Sequence, residues 1–293
     1  MNNVLANFFK DEYSKIPIWF LRQAGRHIPE YFEIRKQATD FIEFCLNPKL
    51  IVESTKLPLN YYNLDAAIVF SDILMIPWAM NRNVQFVKGI GPQLLPMIPD
   101  ETKILKNINV FEKLEPLKDS ISILKKELPQ SKSLIGFAGA PWTLACYMIE
   151  GHGSKDFINI RKALWNSNKW LMELLETLSI YVAEKLEMQA NAGADVLMLF
   201  DSWSHMIPSN FFHECAIDPT ARIINTLRSK NIFKPIIGFP FKAGTSLINY
   251  SYESYVDCIA LDWTVDLNWA IKNLNSSIVI QGNLDPASLI PYE

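Results

Sequence analysis

Short runs of consecutive apolar residues recur along this chain and are separated by longer stretches with a helical pattern. Most of these runs are apolar at successive rather than alternate positions, which is typical of parallel strands buried on both faces. Strands that alternate with helices predict an α/β fold with a parallel sheet, either open and doubly wound or closed into a barrel. Seven candidate core strands can be found, at residues 18–21, 66–70, 134–139, 195–200, 235–239, 258–261 and 277–282.

The clearest helical pattern covers residues 157–192, where leucine and valine recur at intervals of three and four residues. Gly193 follows this pattern directly and precedes the next apolar run. Glycine is the preferred residue just beyond the C-terminus of a helix, so we expect the helix to end at this position.

Polar residues at the ends of the apolar runs distinguish between the two α/β architectures. Arg22, Ser71-Asp72, Asp201-Ser202 and Asp262 all fall at or just beyond the C-terminal end of a predicted strand. In a (β/α)8 TIM-type barrel these ends share one rim, where active sites are built. A doubly wound sheet usually binds its ligand beside a glycine-rich turn that follows a core strand, and this chain has none. The sequence therefore favours a single barrel domain over residues 1–293.

Composition excludes several classes of protein. The chain has 293 residues and a net charge of −3, without the basic surplus that nucleic-acid binders usually show. No apolar run approaches the roughly 18 residues that span a bilayer, and the N-terminal apolar stretch is too short for a signal peptide. Its four cysteines lie far apart, which is typical of reduced thiols in the cytosol. These features predict a cytoplasmic protein, in which an anionic ligand needs a local cluster of positive charge.

Such a cluster follows the first apolar run, where Arg22 and Arg26 flank the residues Gln23, Ala24 and Gly25. Arginine offers planar, bidentate donors, which suit carboxylates better than lysine does. The alternative is that both arginines form ion pairs with nearby glutamates or contact a helix end, and the residues alone do not decide between the two.

The stretches IPIWFLRQAGRHIPEY and LIGFAGAPWTLACYMIEG closely resemble two signature regions of the uroporphyrinogen decarboxylase family. The resemblance continues in family order through IVFSDIL, LFDS, ALDWT and QGNLDP and so spans nearly the whole chain. It implies a barrel enzyme of tetrapyrrole (haem) biosynthesis that uses no cofactor and acts as a homodimer. Such an enzyme converts the four acetate side chains of uroporphyrinogen III to methyl groups, which gives coproporphyrinogen III.

The resemblance also implies roles for individual residues. Arg22 and Arg26 match arginines that bind substrate carboxylates, with a contribution from the backbone N–H groups of residues 23–25. Arg35 matches a position near a peripheral carboxylate, whereas Tyr147 and Ser202 match residues whose hydroxyl groups bind a propionate or acetate. For Tyr147 the alternative is a buried tyrosine that donates to a backbone carbonyl.

Asp72 matches the central aspartate of the family. Its carboxylate is expected to accept hydrogen bonds from the pyrrole N–H groups and to stabilise the positive charge that develops on protonation. The alternative is that Ser71 and Asp72 cap the following helix, since serine and aspartate are preferred there. Asp262 also lies in a family-like stretch, and we expect its role to be mainly structural.

The C-terminal region departs from the family pattern, because no counterpart of the eighth strand and the final helix can be found. We therefore expect lowered stability, and an inactive truncated remnant that only binds porphyrins is an alternative function. A second alternative is a corrinoid-linked methyltransferase on the same barrel, since His213 and Cys215 resemble a zinc-binding H-x-C motif. Residues two apart on a helix point to different faces, so we expect no metal site there.

Overall fold

A curled, parallel β-sheet of six strands organises the structure, which is a computed structural model that describes residues 3–10, 15–105, 108–166 and 169–290. The strands lie side by side in chain order, so each strand pairs with its predecessor in the sheet. A separate two-stranded antiparallel hairpin follows the first strand of the sheet. The sheet contains β1 (Ala66–Ile68), β4 (Ser133–Gly139), β5 (Val196–Asp201), β6 (Ile236–Pro240), β7 (Cys258–Ala260) and β8 (Val279–Gln281), and the hairpin contains β2 (Gln85–Val87) and β3 (Gly91–Gln93).

Helices connect the strands in the alternating order that the sequence predicts. Three short helices and one longer helix precede β1, and the longest helix lies between β4 and β5. The helices are α1 (Val4–Phe8), α2 (Pro29–Arg35), α3 (Phe41–Leu46), α4 (Pro48–Tyr61), α5 (Met75–Ala79), α6 (Thr102–Leu105), α7 (Val110–Glu127), α8 (Pro141–Glu150), α9 (Ile158–Trp165), α10 (Lys169–Ala192), α11 (Asp218–Ser229), α12 (Leu247–Glu253) and α13 (Leu267–Asn273).

Six of the seven strands predicted from the sequence are present, and the prediction of a strand at residues 18–21 is wrong. In this region Ile18 exchanges hydrogen bonds with Asp65 and with no other described residue, through the Asp65 side chain (2.9 Å) and its backbone N–H (2.8 Å). Further along, the side chain of Gln23 bonds to the edge of β1. A side chain therefore takes the positions on β1 that the backbone of a neighbouring strand would otherwise take.

The long helical pattern at residues 157–192 divides into α9 and α10, and residues 167–168 lie outside the described residues. Gly193 follows α10 with a φ of 119°, a left-handed conformation that favours glycine. Its N–H group bonds to the carbonyl of Ala190 at 3.2 Å. The prediction that Gly193 ends this helix is confirmed.

The two faces of the sheet can be told apart at β4. A Cβ atom added to Gly136 would lie 2.3 Å from the Oε1 atom of Gln189, so this position faces α10. Side chains alternate along a strand, and Phe137 therefore lies on the opposite, inner face. There it contacts Phe200 of β5 edge to face, with ring centroids 5.4 Å apart, and Phe200 in turn contacts Phe239 of β6. The inner face thus carries a row of aromatic rings.

Within the described part of the chain, no helix is long and apolar enough to cross a membrane.

Candidate active site

Asp72 lies four residues beyond the end of β1, at the edge of the sheet where the strands end. Its Oδ1 atom accepts a hydrogen bond from the N–H of Leu74 (2.8 Å), directly before α5. Leu74 precedes the first residue of the helix, and no side chain of the described residues caps α5, so the capping alternative is not realised. The bond from Leu74 uses only one carboxylate oxygen. The Oδ2 atom accepts no hydrogen bond from residues 3–10, 15–105, 108–166 or 169–290. One oxygen is thus free to accept hydrogen bonds from a ligand.

Burial raises the pKa of the Asp72 carboxyl group. The hydrogen bond from Leu74 and the positive charges of Lys185 and Arg22 oppose this rise. Lys185, whose positive charge acts on Asp72, was not identified from the sequence. Both cations lie close enough to favour the ionised form of the carboxylate.

Arg22 and Arg26 are both exposed to solvent. Among the described residues, no carboxylate lies within 4.0 Å of either guanidinium group, and neither group donates a hydrogen bond. The nearby acidic side chains have other partners, since Glu30 accepts a hydrogen bond from a tyrosine hydroxyl and Glu33 pairs with a lysine at 2.7 Å. The alternative of a local ion pair is therefore not realised, and both arginines are free to meet an anionic ligand.

Gln23 fixes the segment between these arginines to the sheet. Its Nε2 atom donates to the carbonyl of Ala66 (2.8 Å), and its Oε1 atom accepts from the N–H of Ile68 (3.3 Å). The side chain is 3% exposed. The backbone N–H groups of Gln23, Ala24 and Gly25 donate no hydrogen bond to any residue that the structure describes, so they remain available.

Arg35 has a structural environment that the sequence did not indicate. It lies at the end of α2, where its Nη1 atom donates to the carbonyl of Ala38 (3.1 Å). Its guanidinium carbon lies over the rings of Phe41 and Phe44, 5.9 and 5.5 Å from their centroids. These contacts tie Arg35 to an aromatic cluster that includes Phe70, two residues before Asp72. A contact between Arg35 and a substrate stays a prediction.

Tyr147, on α8, lies in the same electrostatic environment as Asp72 and Arg22. Burial raises the pKa of its hydroxyl group, the indole of Trp203 and the charge of Arg22 oppose this rise, and the charge of Asp72 adds to it. In the described ranges no backbone carbonyl accepts a hydrogen bond from this hydroxyl, so the alternative of a satisfied core tyrosine is not realised. The rings of Tyr147 and Trp203 are 6.1 Å apart.

Ser202 directly follows β5 and precedes Trp203, the residue whose ring contacts that of Tyr147. It is half-buried, and its hydroxyl group forms no hydrogen bond with the described residues. The preceding residue, Asp201, is buried and accepts a hydrogen bond from Thr143 Oγ1 (2.6 Å). Thr143 Oγ1 also accepts from the N–H of Trp203 (3.1 Å). Thr143 therefore joins α8 to the segment that carries Ser202.

Burial raises the pKa of Asp201 to about 7, against the hydrogen bond from Thr143. The sequence indicated Asp201 only as a polar residue at a strand end. Its role in joining α8 to β5 depends on a partner 58 residues earlier in the chain, which no local pattern reveals.

Lys185 is fully buried on α10, and its Nζ atom has no hydrogen-bond partner among the described residues. The signal for it was present, since Lys185 stands three residues after Val182 and seven after Leu178, on the apolar stripe of the helix. A lysine at such a position is rarely buried without a reason.

Asp262 and the H-x-C pair both make contacts within the protein. Asp262 is buried and accepts from the N–H of Lys242 (3.0 Å) and from Thr264, so both oxygens are occupied within the protein. His213 is paired with Glu253 at 2.6 Å, whereas Cys215 is buried. No group of three or more metal-binding side chains occurs in the described ranges.

Comparison with known proteins adds independent findings. The family model described as uroporphyrinogen decarboxylase matches residues 1–292. The uroporphyrinogen decarboxylase of Maricaulis maris (strain MCS10) is 42% identical over 273 residues, which cover 93% of this chain and 79% of the relative. That of Jannaschia sp. (strain CCS1) is 41% identical over 277 residues, with 94% and 80% covered. That of Brucella anthropi is 42% identical over 274 residues, again with 94% and 80% covered.

Among solved structures, a methyltransferase from Methanosarcina mazei superposes with a TM-score of 0.77. The match covers 96% of this chain and 81% of the methyltransferase, at 12% sequence identity. The superposition supports a shared fold, and at this identity it carries no conclusion about a shared activity. The fold class predicted from the sequence, a TIM-type barrel architecture, is confirmed. The sheet contains six of the seven predicted strands.

Proposed function

This chain belongs to the uroporphyrinogen decarboxylase family, and from that membership we propose that it decarboxylates uroporphyrinogen III to coproporphyrinogen III. The observation that carries the proposal is the family match over residues 1–292, together with relatives that are 41–42% identical. The enzyme is a carboxy-lyase of haem biosynthesis.

The chemistry of the substrate explains which groups the protein must supply. A proton adds to the ring carbon that lies between the pyrrole nitrogen and the carbon bearing the acetate side chain, so that the acetate-bearing carbon shares the resulting positive charge. The bond between the methylene and the carboxylate then breaks, CO2 leaves, and the electron pair enters the ring. A proton added to the exocyclic carbon and a proton lost from the ring complete the methyl group. The protonated pyrrole accepts the electrons itself, so no cofactor is required for this step.

Asp72 is the catalytic residue in this proposal. Its free Oδ2 atom accepts hydrogen bonds from the pyrrole N–H groups, while Leu74 holds the other oxygen in place. The ionised carboxylate stabilises the cation that forms when the ring is protonated. Such preorganised charge is often the largest contribution to catalysis.

Arg22 and Arg26 bind the carboxylates of the substrate. Both guanidinium groups are exposed and lack ion pairs with the described residues, which supports this role. Each charge-assisted hydrogen bond contributes about 1.5–3 kcal/mol. The unused N–H groups of Gln23, Ala24 and Gly25 add donors that need no side-chain movement.

Tyr147 and Ser202 bind a propionate or acetate group through their hydroxyl groups. Two observations support this assignment: no backbone carbonyl of the described residues accepts a hydrogen bond from the Tyr147 hydroxyl, and the Ser202 hydroxyl forms no hydrogen bond with those residues. Arg35 lies near a peripheral carboxylate, and its Ala38 contact leaves other guanidinium donors for this purpose. The aromatic row on the inner face, which includes Phe137 and Phe200, provides an apolar surface for the macrocycle.

The same proposal covers the organisation of the protein. Residues 1–293 form a single barrel domain, supported by a continuous buried core that extends from Leu5 to Leu274. The enzyme acts in the cytoplasm as a homodimer, and its four free, buried cysteines suit a reducing compartment. Light scattering on the purified protein measures the oligomeric state, and a monomer at micromolar concentration would contradict this part.

Neither alternative function is favoured by the comparisons. The methyltransferase likeness rests on fold alone, at 12% identity. The three relatives described above are each named uroporphyrinogen decarboxylase.

Anaerobic incubation with uroporphyrinogen III tests the proposed activity. Products are oxidised and separated by their number of carboxylates, and we expect a series that ends at the four-carboxylate porphyrin. The Asp72→Asn variant, prepared in parallel, controls for spontaneous decarboxylation. Unchanged eight-carboxylate substrate after prolonged incubation with folded protein would contradict the proposal.

A further inference from the structure

Lys185 is a buried cation without an acidic partner in contact. The side chain is fully buried, its Nζ atom forms no hydrogen bond, and no carboxylate of the described ranges lies within 4.0 Å of it. Burial of an unpaired ammonium group is strongly unfavourable. Its retention at this position calls for a compensating function.

The ammonium group of Lys185 extends from α10 toward the site. It lies 5.5 Å from the centroid of the Phe137 ring, which belongs to the inner face of β4. The negative face of an aromatic ring attracts a cation, so this contact holds the amine at the inner aromatic face of the sheet, where Phe200 also lies.

Two ionisable groups act on Lys185, the carboxylate of Asp72 and the thiol of Cys45. Burial lowers the pKa of Lys185 to about 8, and the charge of Asp72 opposes this effect. Burial also raises the pKa of Cys45 well above its ordinary value, so this thiol is neutral near neutral pH. Asp72 is therefore the negative charge that acts on Lys185 near neutral pH.

Several charged groups on the elements around α10 have other partners. They are Lys125 of α7 with Asp195, Arg222 of α11 and Lys230 just beyond it with Glu176 and Glu187, and Glu150 of α8 with the N-terminus of α9. Arg22 also acts on Asp72 and Tyr147, but it is exposed.

We propose that Lys185 is a positioning residue, the fixed internal countercharge that keeps Asp72 ionised before and during substrate binding. The inference rests on the proposed function of Asp72. Arg22 is exposed, and in the proposed function it turns to a substrate carboxylate, which weakens its effect on Asp72. Lys185 is enclosed by the core and cannot be recruited by the substrate, so its charge stays beside Asp72 throughout the reaction.

A direct test measures the titration of Asp72 without substrate. Protein labelled with ¹³C at the aspartate carboxyl carbons is titrated by NMR, and the Asp72 signal is assigned by its loss in Asp72→Asn. We expect the Asp72 midpoint to rise by about one pH unit or more in Lys185→Met, because a nearby opposite charge shifts a carboxyl group by that amount. Lys185→Gln is a second neutral variant, used if the first does not fold.

Gln189→Met is the matched control. Gln189 lies one turn away on the same face of α10, is fully buried and donates to the carbonyl of Phe137 (2.8 Å), but it carries no charge. We expect this variant to leave the Asp72 midpoint unchanged. An equal shift in the control, or no shift in either lysine variant, would overturn the proposal.

Kinetics then separate this inference from the proposed function. With uroporphyrinogen III, the acid limb of kcat/KM in Lys185→Met should move to higher pH by the same amount as the NMR midpoint. An NMR shift in a protein without activity toward uroporphyrinogen would contradict the proposed function and leave the charge pairing intact. Normal activity with an unshifted midpoint would contradict the role of Lys185 alone.

Discussion

Gln23 Nε2 lies 2.8 Å from the carbonyl oxygen of Ala66, so a side chain from the segment between Arg22 and Arg26 covers the outer edge of β1. The same side chain accepts the N–H of Ile68 at 3.3 Å. Two guanidinium groups are thereby held at the rim without any ion pair among the described residues. The protein positions these charges through the neutral residue between them.

Replacement of Gln23 by leucine should weaken both stability and substrate binding. The loss of these hydrogen bonds leaves buried backbone groups of β1 unpaired, at a cost of about 1–3 kcal/mol in the free energy of unfolding. KM for uroporphyrinogen should rise, because Arg22 and Arg26 are no longer held in place. Urea unfolding and steady-state kinetics measure the two effects. Gln37→Leu, at an exposed glutamine, should change neither.

Replacement of Asp72 by asparagine should affect turnover far more than binding. The variant keeps an oxygen for Leu74 but loses the charge that stabilises the protonated pyrrole. We expect kcat to fall by about a hundredfold or more, as when a preorganised electrostatic group is removed. Single-turnover decarboxylation and porphyrinogen binding distinguish the two steps. A normal kcat in the variant would remove Asp72 from the catalytic role.

Arg22→Ala and Arg35→Ala should behave differently from one another. Arg22 has no partner among the described residues, so its loss should leave stability unchanged and raise KM by about ten- to a hundredfold, the equivalent of 1.5–3 kcal/mol. Arg35 packs over Phe41 and Phe44, so its loss should cost about 1–2 kcal/mol of stability. A stability loss for Arg22→Ala equal to that for Arg35→Ala would contradict this assignment.

Asp201 should make stability depend on pH. Its pKa rises from 3.8 to about 7 on folding, so between these values the folded protein binds a proton that the unfolded chain lacks. The stability that the protonated Asp201 carboxyl group gives the folded protein is therefore lost as the pH rises toward 7. Asp201→Asn keeps an oxygen for Thr143 without the charge, and its stability relative to the parent should be about 2–3 kcal/mol greater at pH 8 than at pH 5. Urea unfolding at both pH values measures this difference, and a pH-independent difference would be evidence against it.

Lys185→Met should be more stable than the parent protein near neutral pH. The pKa of Lys185 falls from 10.5 to about 8 on folding, so the unfolded chain binds more protons between these values and parental stability rises with pH there. Below pH 8 the buried ammonium group lowers the free energy of unfolding of the parent protein by about 3 kcal/mol, the equivalent of this pKa shift. The advantage of the methionine variant should shrink toward pH 10.5. Lys36→Met, at an exposed lysine, serves as the control in thermal and urea unfolding.

The sequence predicted the sheet well because its strands are buried on both faces. The run at residues 195–200 needs no partner information to be recognised, and it forms β5 (Val196–Asp201). The run at residues 18–21 has the same local character but forms no strand. The conformation of this run depends on the hydrogen bonds of Ile18 with Asp65 and of Gln23 with Ala66, which join residues more than 40 positions apart in the sequence.

The candidate site shows the same division. Asp72, Arg22 and Tyr147 could be found from motifs, and the structure brings them into one electrostatic environment. Lys185 could not be assigned in this way, because its importance comes from burial and from the distance to Phe137. The packing of Arg35 on Phe44 could not be predicted either, since the local spacing of residues does not reveal where a guanidinium group points.

The order of the strands has a consequence for synthesis of the protein on the ribosome. Every strand of the sheet pairs with the strand made just before it, from β1 and β4 to β7 and β8. Each new strand therefore meets an edge that has already left the exit tunnel, and none must wait for a partner encoded later. Gln23 is translated before Ala66 and Ile68, and its side chain covers the outer edge of β1, with which no later strand of the described residues pairs. The sheet can grow in one direction only, at the pace of translation.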